Sequence, residues 1–276
     1  MSIFLGHHKC ATTWIHAILQ DAANHLGLKF EIVSNASAFN HDLPAYLAGN
    51  QIDILSYSNA KIEYVRPLTH FRAFHVIRDP RDILVSAYHS HLHSHATASW
   101  PQLASHRERL ASVSKDEGLR IEMGFSAWEL EDLAAWDYAL PNVIEMKMED
   151  LIVNPYDRLL EAFEFLGLVE NQSLSASREW LAASSKLLRV GTRGALPPVS
   201  KQTRLSVPGF LNIVYNNRFA AKAGGRQPGT EDVYSHYRKG VAGDWVNHFS
   251  PENRALFKTN FGGLLQKLGY EPSNNW

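Results

Sequence analysis

Cysteine is nearly absent from the sequence: Cys10 is the single cysteine among 276 residues, so no intramolecular disulfide can form. Such cysteine usage suits a reducing compartment. The chain also lacks a basic segment followed by a long apolar stretch at its start, and it lacks an apolar run of roughly eighteen residues that would span a membrane. We therefore expect a cytoplasmic protein with no membrane span.

An excess of charge of one sign is lacking as well. Lysine and arginine number 27 and aspartate and glutamate number 28, which gives a formal net charge of -1. The protein therefore has no overall basic field of the kind that binds nucleic acid, although a local basic pocket stays open as an interpretation. Hydrophobic residues make up 45% of the chain, enough for a sizeable core, and we expect one domain over residues 1–276.

Apolar segments alternate with amphipathic segments along the chain. The patterns predict strands at residues 2–5, 29–33, 52–55, 62–65, 73–77 and 143–146. They predict helices at 12–26, 43–48, 82–92, 126–140, 151–166 and 249–268, and loops over 189–209 and 224–247. Strands that alternate with helices are typical of an α/β fold. We predict a three-layer sandwich with a mostly parallel central sheet and a P-loop-like first turn.

The first fourteen residues predict a strand, a tight turn of small residues and a helix. The strand ends at Gly6, and helical spacing begins at Thr12. Such a turn directs backbone N–H groups and a helix N-terminus at one point, which makes an anion site. Lys9 adds a positive charge there, and Thr12 and Thr13 add hydroxyl donors. The alternative is an ordinary strand–turn–helix with a surface lysine.

This turn lacks the Gly-Lys-Ser/Thr sequence with which a nucleotide P-loop holds a magnesium nucleotide. Lys9 instead precedes the small residues Cys10 and Ala11. The order favours a phosphate-like anion other than a magnesium-bound triphosphate. Two functions stay open as alternatives for a site of this kind. The first is an ATP-dependent kinase of small molecules, and the second is a non-catalytic protein that binds adenine nucleotides.

Two later segments offer further phosphate ligands. Arg78 follows the strand at 73–77, at the sheet edge where open α/β sheets bind ligands, and Ser86 lies two helical turns further on. An arginine with a hydroxyl makes a good phosphate clamp. Residues 238–240 place two cations before a glycine, on a turn that is flexible enough to close over a ligand. The alternatives are a structural salt bridge at Arg78 and a solvated basic turn at 238–240.

In their order and separation, the segments Gly6–Trp14, His75–Tyr88 and Arg238–Trp245 resemble three motifs of the cytosolic-type sulfotransferase family. The resemblance extends to about residue 270. It implies direct transfer of a sulfuryl group from 3′-phosphoadenosine 5′-phosphosulfate (PAPS) to a hydroxyl or amine of a small molecule, lipid or glycoside. It also implies adenosine 3′,5′-bisphosphate (PAP) as product and no metal, with a homodimer as one option for the assembly.

By this resemblance, Lys9 contacts the bridging oxygen and stabilises the leaving phosphate, while Trp14 and Phe219 stack on the adenine. The implied donor-binding residues are His8, Lys9, Cys10, Ala11, Thr12, Thr13, Trp14, Arg78, Ser86, Phe219, Arg238, Lys239 and Gly240. Two positions depart from the family pattern. Ala11 replaces the usual turn glycine, so the loop either avoids a positive φ there or is strained by about 1 kcal/mol. Met148 replaces a tyrosine near the adenine.

The base that activates the acceptor does not follow from the resemblance, because residues 54–60 contain no histidine where relatives have a Thr-His pair. Histidine suits proton abstraction from a hydroxyl. We predict His41, beside Asp42, as the first candidate, then His91 and then His70. The period-two series His89, His91, His93 and His95 would share one face of a strand and suggest a metal. It follows a helix, however, which favours a pocket wall over zinc.

The acceptor pocket is predicted from three stretches, residues 36–48, 89–100 and 189–212. Their aromatic side chains permit a phenol, sterol, lipid or glycoside, and these are Phe39, Tyr46, Trp100 and Phe210. No acidic or basic bias selects one of these acceptors.

Overall fold

The protein is built on a parallel sheet, as seen in a computed structural model that describes residues 1–98, 100–170 and 203–276. The strands of these residues are β1 (Ser2–Gly6), β2 (Phe30–Val33), β3 (Ile54–Tyr57), β4 (Arg72–Ile77) and β5 (Val143–Lys147). Their order is β2-β3-β1-β4-β5, and every described pairing is parallel. The predicted parallel α/β sheet is confirmed.

Helices connect the strands and continue after the last one. They are α1 (Thr12–Leu26), α2 (Leu43–Asn50), α3 (Ile62–Val65), α4 (Pro80–His89), α5 (Pro101–Ala111), α6 (Lys115–Phe125), α7 (Ala127–Ala135), α8 (Met148–Val153), α9 (Pro155–Phe165), α10 (Val207–Asn216), α11 (Phe219–Lys222) and α12 (Pro251–Lys267). A π-helical turn, Ser90–Ser94, follows α4, and 3-10 turns lie at Ala36–Phe39 and Asp244–Asn247. No helix among the described residues is long and apolar enough to cross a membrane.

The side chains of β1 show how the three layers form. Successive strand residues point to opposite faces of a sheet. Phe4 accordingly packs in a core with side chains of α1, α9 and α10, while Ile3 and Leu5 belong to a core on the other face, with Phe39 and Trp136. All five residues of β1 are buried, so the strand reads as a continuous apolar run with helices on both sides.

Two predicted elements differ from the structure in type or continuity, and others differ in their bounds: the helix expected at 126–140 ends at Ala135, and the strand expected at 52–55 lies at Ile54–Tyr57. Ile62–Val65 was expected as a strand and is one helical turn, α3. A segment of only four mostly apolar residues fits the period of a strand as well as that of a helix. As one helical turn it buries Val65 in the core. The helix expected at 151–166 is divided at Asn154, because Pro155 restricts the residue before it and begins the new helix α9.

The strand order determines which loops lie beside the turn after β1, residues 6–14, which we call the anion turn. β1 lies between β3 and β4, with Gly6 opposite Val76. The loops that follow β1 and β4 therefore emerge side by side at the carboxyl edge of the sheet. Open α/β sheets bind ligands at this edge, where the chain switches direction.

Candidate active site

The turn after β1, residues 6–14, is held in an unusual backbone conformation. Ala11 has φ 62° and ψ 11°, and Lys9 has φ 64°, both in the left-handed region. Of the two outcomes predicted for Ala11, the loop takes the strained one, which costs about 1 kcal/mol for a residue with a Cβ. The strain at Lys9 was not foreseen, because nothing in the residue type signals it.

Buried contacts hold this turn in place. Cys10 is fully buried and packs with Ile77 and Ile83, and its backbone N–H donates to the His7 carbonyl at 3.1 Å. At Gly6 a Cβ would lie 2.7 Å from the ring of Phe4, so only glycine fits there. Cys10 was predicted to contact the donor, but its side chain faces the core and is not part of the cavity wall.

Arg78 anchors the turn from β4. Its guanidinium is buried and donates to the Lys9 carbonyl at 3.1 Å. The side chain therefore fixes the peptide that carries Lys9 as well as supplying charge. This is more than the phosphate clamp that the sequence predicted.

Lys9 is a cation in an unfavourable setting. Burial lowers the pKa of Lys9 to about 7, and the positive charge of Arg78 is the second cause. The negative charge of Glu122 acts in the opposite direction. A negative ligand beside Lys9 would restore its charge, since an opposite charge favours the protonated amine. The site is therefore electrostatically prepared for an anion.

The turn opens into a cavity of about 510 Å³. Twelve of the thirteen residues predicted to bind the donor line it, Cys10 being the exception. They are His8, Lys9, Ala11, Thr12, Thr13, Trp14, Arg78, Ser86, Phe219, Arg238, Lys239 and Gly240. Residues separated by more than two hundred positions thus share one cavity, as the combined motifs predicted.

An apolar section of the cavity wall lies around Trp14. Its indole N–H donates to the Asn217 carbonyl at 2.9 Å, which fixes the ring against the segment after α10. Met148, Leu151 and Tyr156 line the same cavity. The sequence had singled out Met148 only as a departure and gave no signal for Leu151 or Tyr156.

Phe219 and Gly240 are packed directly together. Gly240 has φ 67°, and a Cβ at this position would lie 2.6 Å from two ring carbons of Phe219. Glycine is thus required here twice, for the left-handed backbone and for the close approach. The contact fixes the Phe219 ring at the cavity wall.

The cations at 238 and 239 are already paired. Arg238 binds Glu231 through one guanidinium nitrogen and the Asp244 carboxylate through the other, at 2.7 Å. Lys239 binds the second oxygen of Asp244 at 2.6 Å. Burial would raise the pKa of Asp244, but hydrogen bonds from Lys239 and Arg238 hold it well below its usual range. We call residues 238–244 the C-terminal grip.

His236 joins the anion turn to the C-terminal grip, and the sequence analysis did not select it. Its Nε2 lies 2.7 Å from the Thr13 hydroxyl. Partial burial and the nearby Lys9 charge lower the pKa of His236 to about 4. The ring is therefore neutral at neutral pH and ties Thr13 to a segment 223 residues away.

His8 also contacts a cluster of histidines that includes His91 and His95. Its Nε2 lies 3.1 Å from Nε2 of His91, and Nδ1 of His91 lies 3.0 Å from the carboxylate of Glu122. Glu122 is fully buried and also pairs with His106 at 2.8 Å. Trp100 is close to this group, with its ring centroid 5.3 Å from that of His91. No sequence spacing could have indicated Glu122, which comes from α6.

The histidine series after α4 divides into two pairs. His91 and His95 stack on His8, whereas His89 contacts His248 and His93 contacts Tyr234. Residues four apart lie on the same face of a helical segment. The four histidines, which would all share one face of a strand, are therefore divided between two faces. His91 thus reaches the cavity wall through His8.

His41 and His70, the other candidate bases, lie apart from this cavity wall. His41 is exposed, has φ 59°, and its Nδ1 is 2.9 Å from the Tyr64 hydroxyl. His70 is also exposed. Neither is among the residues that line the cavity.

The predicted acceptor pocket needs correction at two aromatics. Phe39 packs on Tyr57 and Tyr64 in one core, and Phe210 packs on Phe163 at 4.4 Å in the other. Both are buried and cannot form a free pocket wall. Residues 189–202 of the predicted loop lie outside the described residues.

The chain is similar to known proteins in its sequence and in its structure. A family model described as "Sulfotransferase domain" matches residues 2–190. Among solved structures, a mouse sulfotransferase complexed with PAP is similar with a TM-score of 0.56 and 16% identity, over 96% of this chain and 84% of that chain. Retinol dehydratase in complex with androsterone and PAP has a TM-score of 0.51 and 12% identity, over 96% and 80%. No curated protein sequence matches the chain.

Proposed function

Because the chain belongs to the sulfotransferase domain family, we propose that it moves a sulfuryl group from PAPS to a hydroxyl or amine of a small molecule, lipid or glycoside. Membership confirms the predicted reaction class. The residues of both ends line one cavity, which supports treating 1–276 as a single sulfotransferase domain. The roles of individual residues below are part of the proposal.

One observation carries the assignment of the donor: a single cavity holds two separate groups of phosphate ligands. The anion turn, with Lys9, Thr12 and Thr13, accepts the 5′-phosphosulfate. Arg78, Ser86 and the C-terminal grip accept the 3′-phosphate. Trp14 and Phe219 supply flat apolar faces for the adenine between them. A nucleotide with phosphates at both ends of its ribose needs these two groups at once.

Lys9 supplies the charge stabilisation in the transfer step. The acceptor oxygen attacks sulfur in line, the bond from sulfur to the bridging oxygen breaks, and the electron pair stays on the 5′-phosphate of PAP. Such transfers depend mainly on positioning and on charge stabilisation. The Lys9 ammonium stabilises the negative charge that develops on the bridging oxygen. Because the empty site lowers the pKa of Lys9, this negative charge also stabilises the protonated form of its amine.

The acceptor side of the cavity is proposed to lie at His8, His91 and Trp100. Of these rings His8 lines the cavity beside Lys9, where an attacking oxygen has to approach, and the buried His91 and the Trp100 ring pack against His8. His41 stays a prediction as the base, with the weaker support, because its ring is bonded to Tyr64 and not to these rings.

The decisive experiment is a comparison of nucleotides by calorimetry. We expect saturable binding of PAP without magnesium and much weaker binding of ATP with magnesium. Arg78→Ala should weaken PAP binding by about 1.5–3 kcal/mol, the contribution of a charged hydrogen bond. Arg66→Ala, at an exposed arginine, is the matched control and should leave the Kd unchanged. Tight ATP–magnesium binding with no PAP binding would contradict the proposal.

A further inference from the structure

A buried carboxylate is connected to the active cavity through two imidazole rings. Glu122 of α6 contacts Nδ1 of His91 at 3.0 Å, and Nε2 of His91 contacts Nε2 of His8 at 3.1 Å. Glu122 and His91 are both fully buried. His8 lies at the end of this chain and lines the cavity beside Lys9.

The charge of Glu122 fixes the direction of every hydrogen bond in the chain. Burial alone would raise its pKa, but hydrogen bonds from His106, His91 and Ser126 lower the pKa of Glu122, so the group is ionised. An ionised carboxylate only accepts hydrogen bonds. His91 must therefore carry a proton on Nδ1, and in its neutral form this leaves a lone pair on Nε2.

This lone pair determines the state of His8. Two facing Nε2 atoms at 3.1 Å need one donor and one acceptor, and His91 is the acceptor. His8 thus carries its proton on Nε2, and its lone pair is on Nδ1. Among the described residues Nδ1 of His8 has no hydrogen-bond partner, so it remains available to a molecule in the cavity that the ring lines.

We propose that His8 is the general base for the acceptor, with His91 and Glu122 as positioning residues that fix its tautomer. The proposal rests on the function proposed above. In the step, the acceptor hydroxyl passes its proton to Nδ1 of His8 while its oxygen forms the new bond to sulfur. His8 then carries a positive charge, which its hydrogen bond to His91 shares and which Glu122 stabilises from behind.

Burial and the other charges around His8 keep its ring unprotonated before the reaction. Burial lowers the pKa of His8 well below its ordinary value, with Lys9, His91, His95 and His236 contributing in that order. The ring is neutral at neutral pH. Glu122 is the ionised carboxylate at the other end of the chain, and it partly offsets the positive charge of Lys9.

The first test reads the tautomers directly, by long-range proton–nitrogen NMR of the histidine rings. In the wild type we expect His91 with its proton on Nδ1 and His8 with its proton on Nε2. Glu122→Gln should change the His91 ring to a mixture of tautomers, because the amide donates as well as accepts. A wild-type His91 protonated on Nε2 would overturn the proposal, and this result needs no acceptor.

The second test compares two phenols as acceptors with PAPS as donor. Naphthol must lose a proton during the reaction, whereas p-nitrophenol is largely ionised in mildly alkaline buffer and needs no base. His8→Ala should lower kcat with naphthol by about a hundredfold and with p-nitrophenol by less than about fivefold. Glu122→Gln should show the same selectivity with a smaller loss, of about tenfold.

One control variant and one binding measurement separate the outcomes. His25→Ala, at an exposed histidine of α1, should leave both rates unchanged, and PAP binding by calorimetry should be retained in His8→Ala. Equal losses with both phenols, or a naphthol-selective loss in His41→Ala instead, would overturn the assignment. Failure of the wild type to bind PAP would refute the proposed function, while the tautomers would still report on the chain of hydrogen bonds.

Discussion

The anion turn and the C-terminal grip hold their positive charges in opposite ways. Lys9 has no carboxylate within 4.0 Å among the described residues, and its pKa falls to about 7. Arg238 and Lys239 instead share the Asp244 carboxylate. The first cation gains stabilisation as negative charge develops, while the second group must exchange partners to bind a phosphate. The comparison supports our proposal that the turn serves the transfer step and the grip serves binding.

The largest expected effect tests this division at Lys9. Lys9→Ala should lower turnover of PAPS by at least about a hundredfold, the loss seen when one group that stabilises a developing anion is removed. PAP binding should be better preserved. Lys239→Ala should do the reverse, with weaker PAP binding and a smaller change in kcat.

Initial rates of PAP release and calorimetric Kd values measure the two effects. Lys222→Ala, at an exposed lysine of α11, controls for loss of a positive charge near the cavity. If Lys9→Ala turns over normally, or if both variants lose binding and turnover in the same ratio, the division between turn and grip is wrong.

The second-largest effect tests whether the packing of the C-terminal grip against Phe219 contributes to PAP binding. In Gly240→Ala the Cβ meets the Phe219 ring at 2.6 Å, so the ring has to move. Overpacking of this kind costs about 1–3 kcal/mol. We expect PAP binding about tenfold weaker and a lower Tm.

Gly224→Ala is the matched control, because Gly224 has φ 65° and nothing within 4 Å of its Cβ. It should show the backbone strain alone, about 1 kcal/mol. The difference between the two variants isolates the contact with Phe219. Identical losses in Tm and PAP binding would mean that the Phe219 contact has no role.

A third, moderate effect concerns pH. The charged form of Lys9 binds an anion better, and its pKa in the empty site is about 7. PAP affinity should therefore fall above that pH, by up to about tenfold between about pH 7 and 8.5. Titrations of the Kd against pH measure this, and Lys9→Arg should abolish the fall because arginine stays charged. A fall that persists in Lys9→Arg would assign it to another group.

The smallest effect concerns the strain stored in the turn. Ala11→Gly removes the left-handed penalty of about 1 kcal/mol but makes the unfolded chain more flexible, for a net gain of about 0.5 kcal/mol. Ala255→Gly, in the exposed middle of α12, should instead lose about 1 kcal/mol. Chemical denaturation measures both. A loss of stability in Ala11→Gly would show that the φ of 62° is not strained.

Much of the cavity lining could be predicted because each motif combines a strand end with a residue type of clear chemistry. Lys9, Arg78 and Ser86 fall on one cavity since the sheet order brings the ends of β1 and β4 together. Glu122 and His236 were missed for a physical reason. Each reaches the site through tertiary packing of an element whose own sequence has no motif, so only the assembled structure places them.

The acceptor side shows the limit of periodicity. The four histidines at the end of α4 and in the turn after it would share one face only on a strand, and the preceding helix already argued against that interpretation. Their helical backbone gives them different neighbours, which the period-two spacing alone does not predict. The left-handed φ at Lys9 was also beyond prediction, because lysine rarely adopts it and only the anchoring by Arg78 and Cys10 imposes it.

The hydrogen bonds of Thr13 to His236 and of Trp14 to Asn217 span 223 and 203 residues of sequence. During synthesis the anion turn leaves the ribosome long before the segments that complete it. A chain interrupted before residue 217 would contain the sheet and Lys9 but would lack Phe219, Arg238, Lys239 and Gly240 of the proposed donor site. The cavity is therefore completed late, when the final fifth of the polypeptide docks against its beginning.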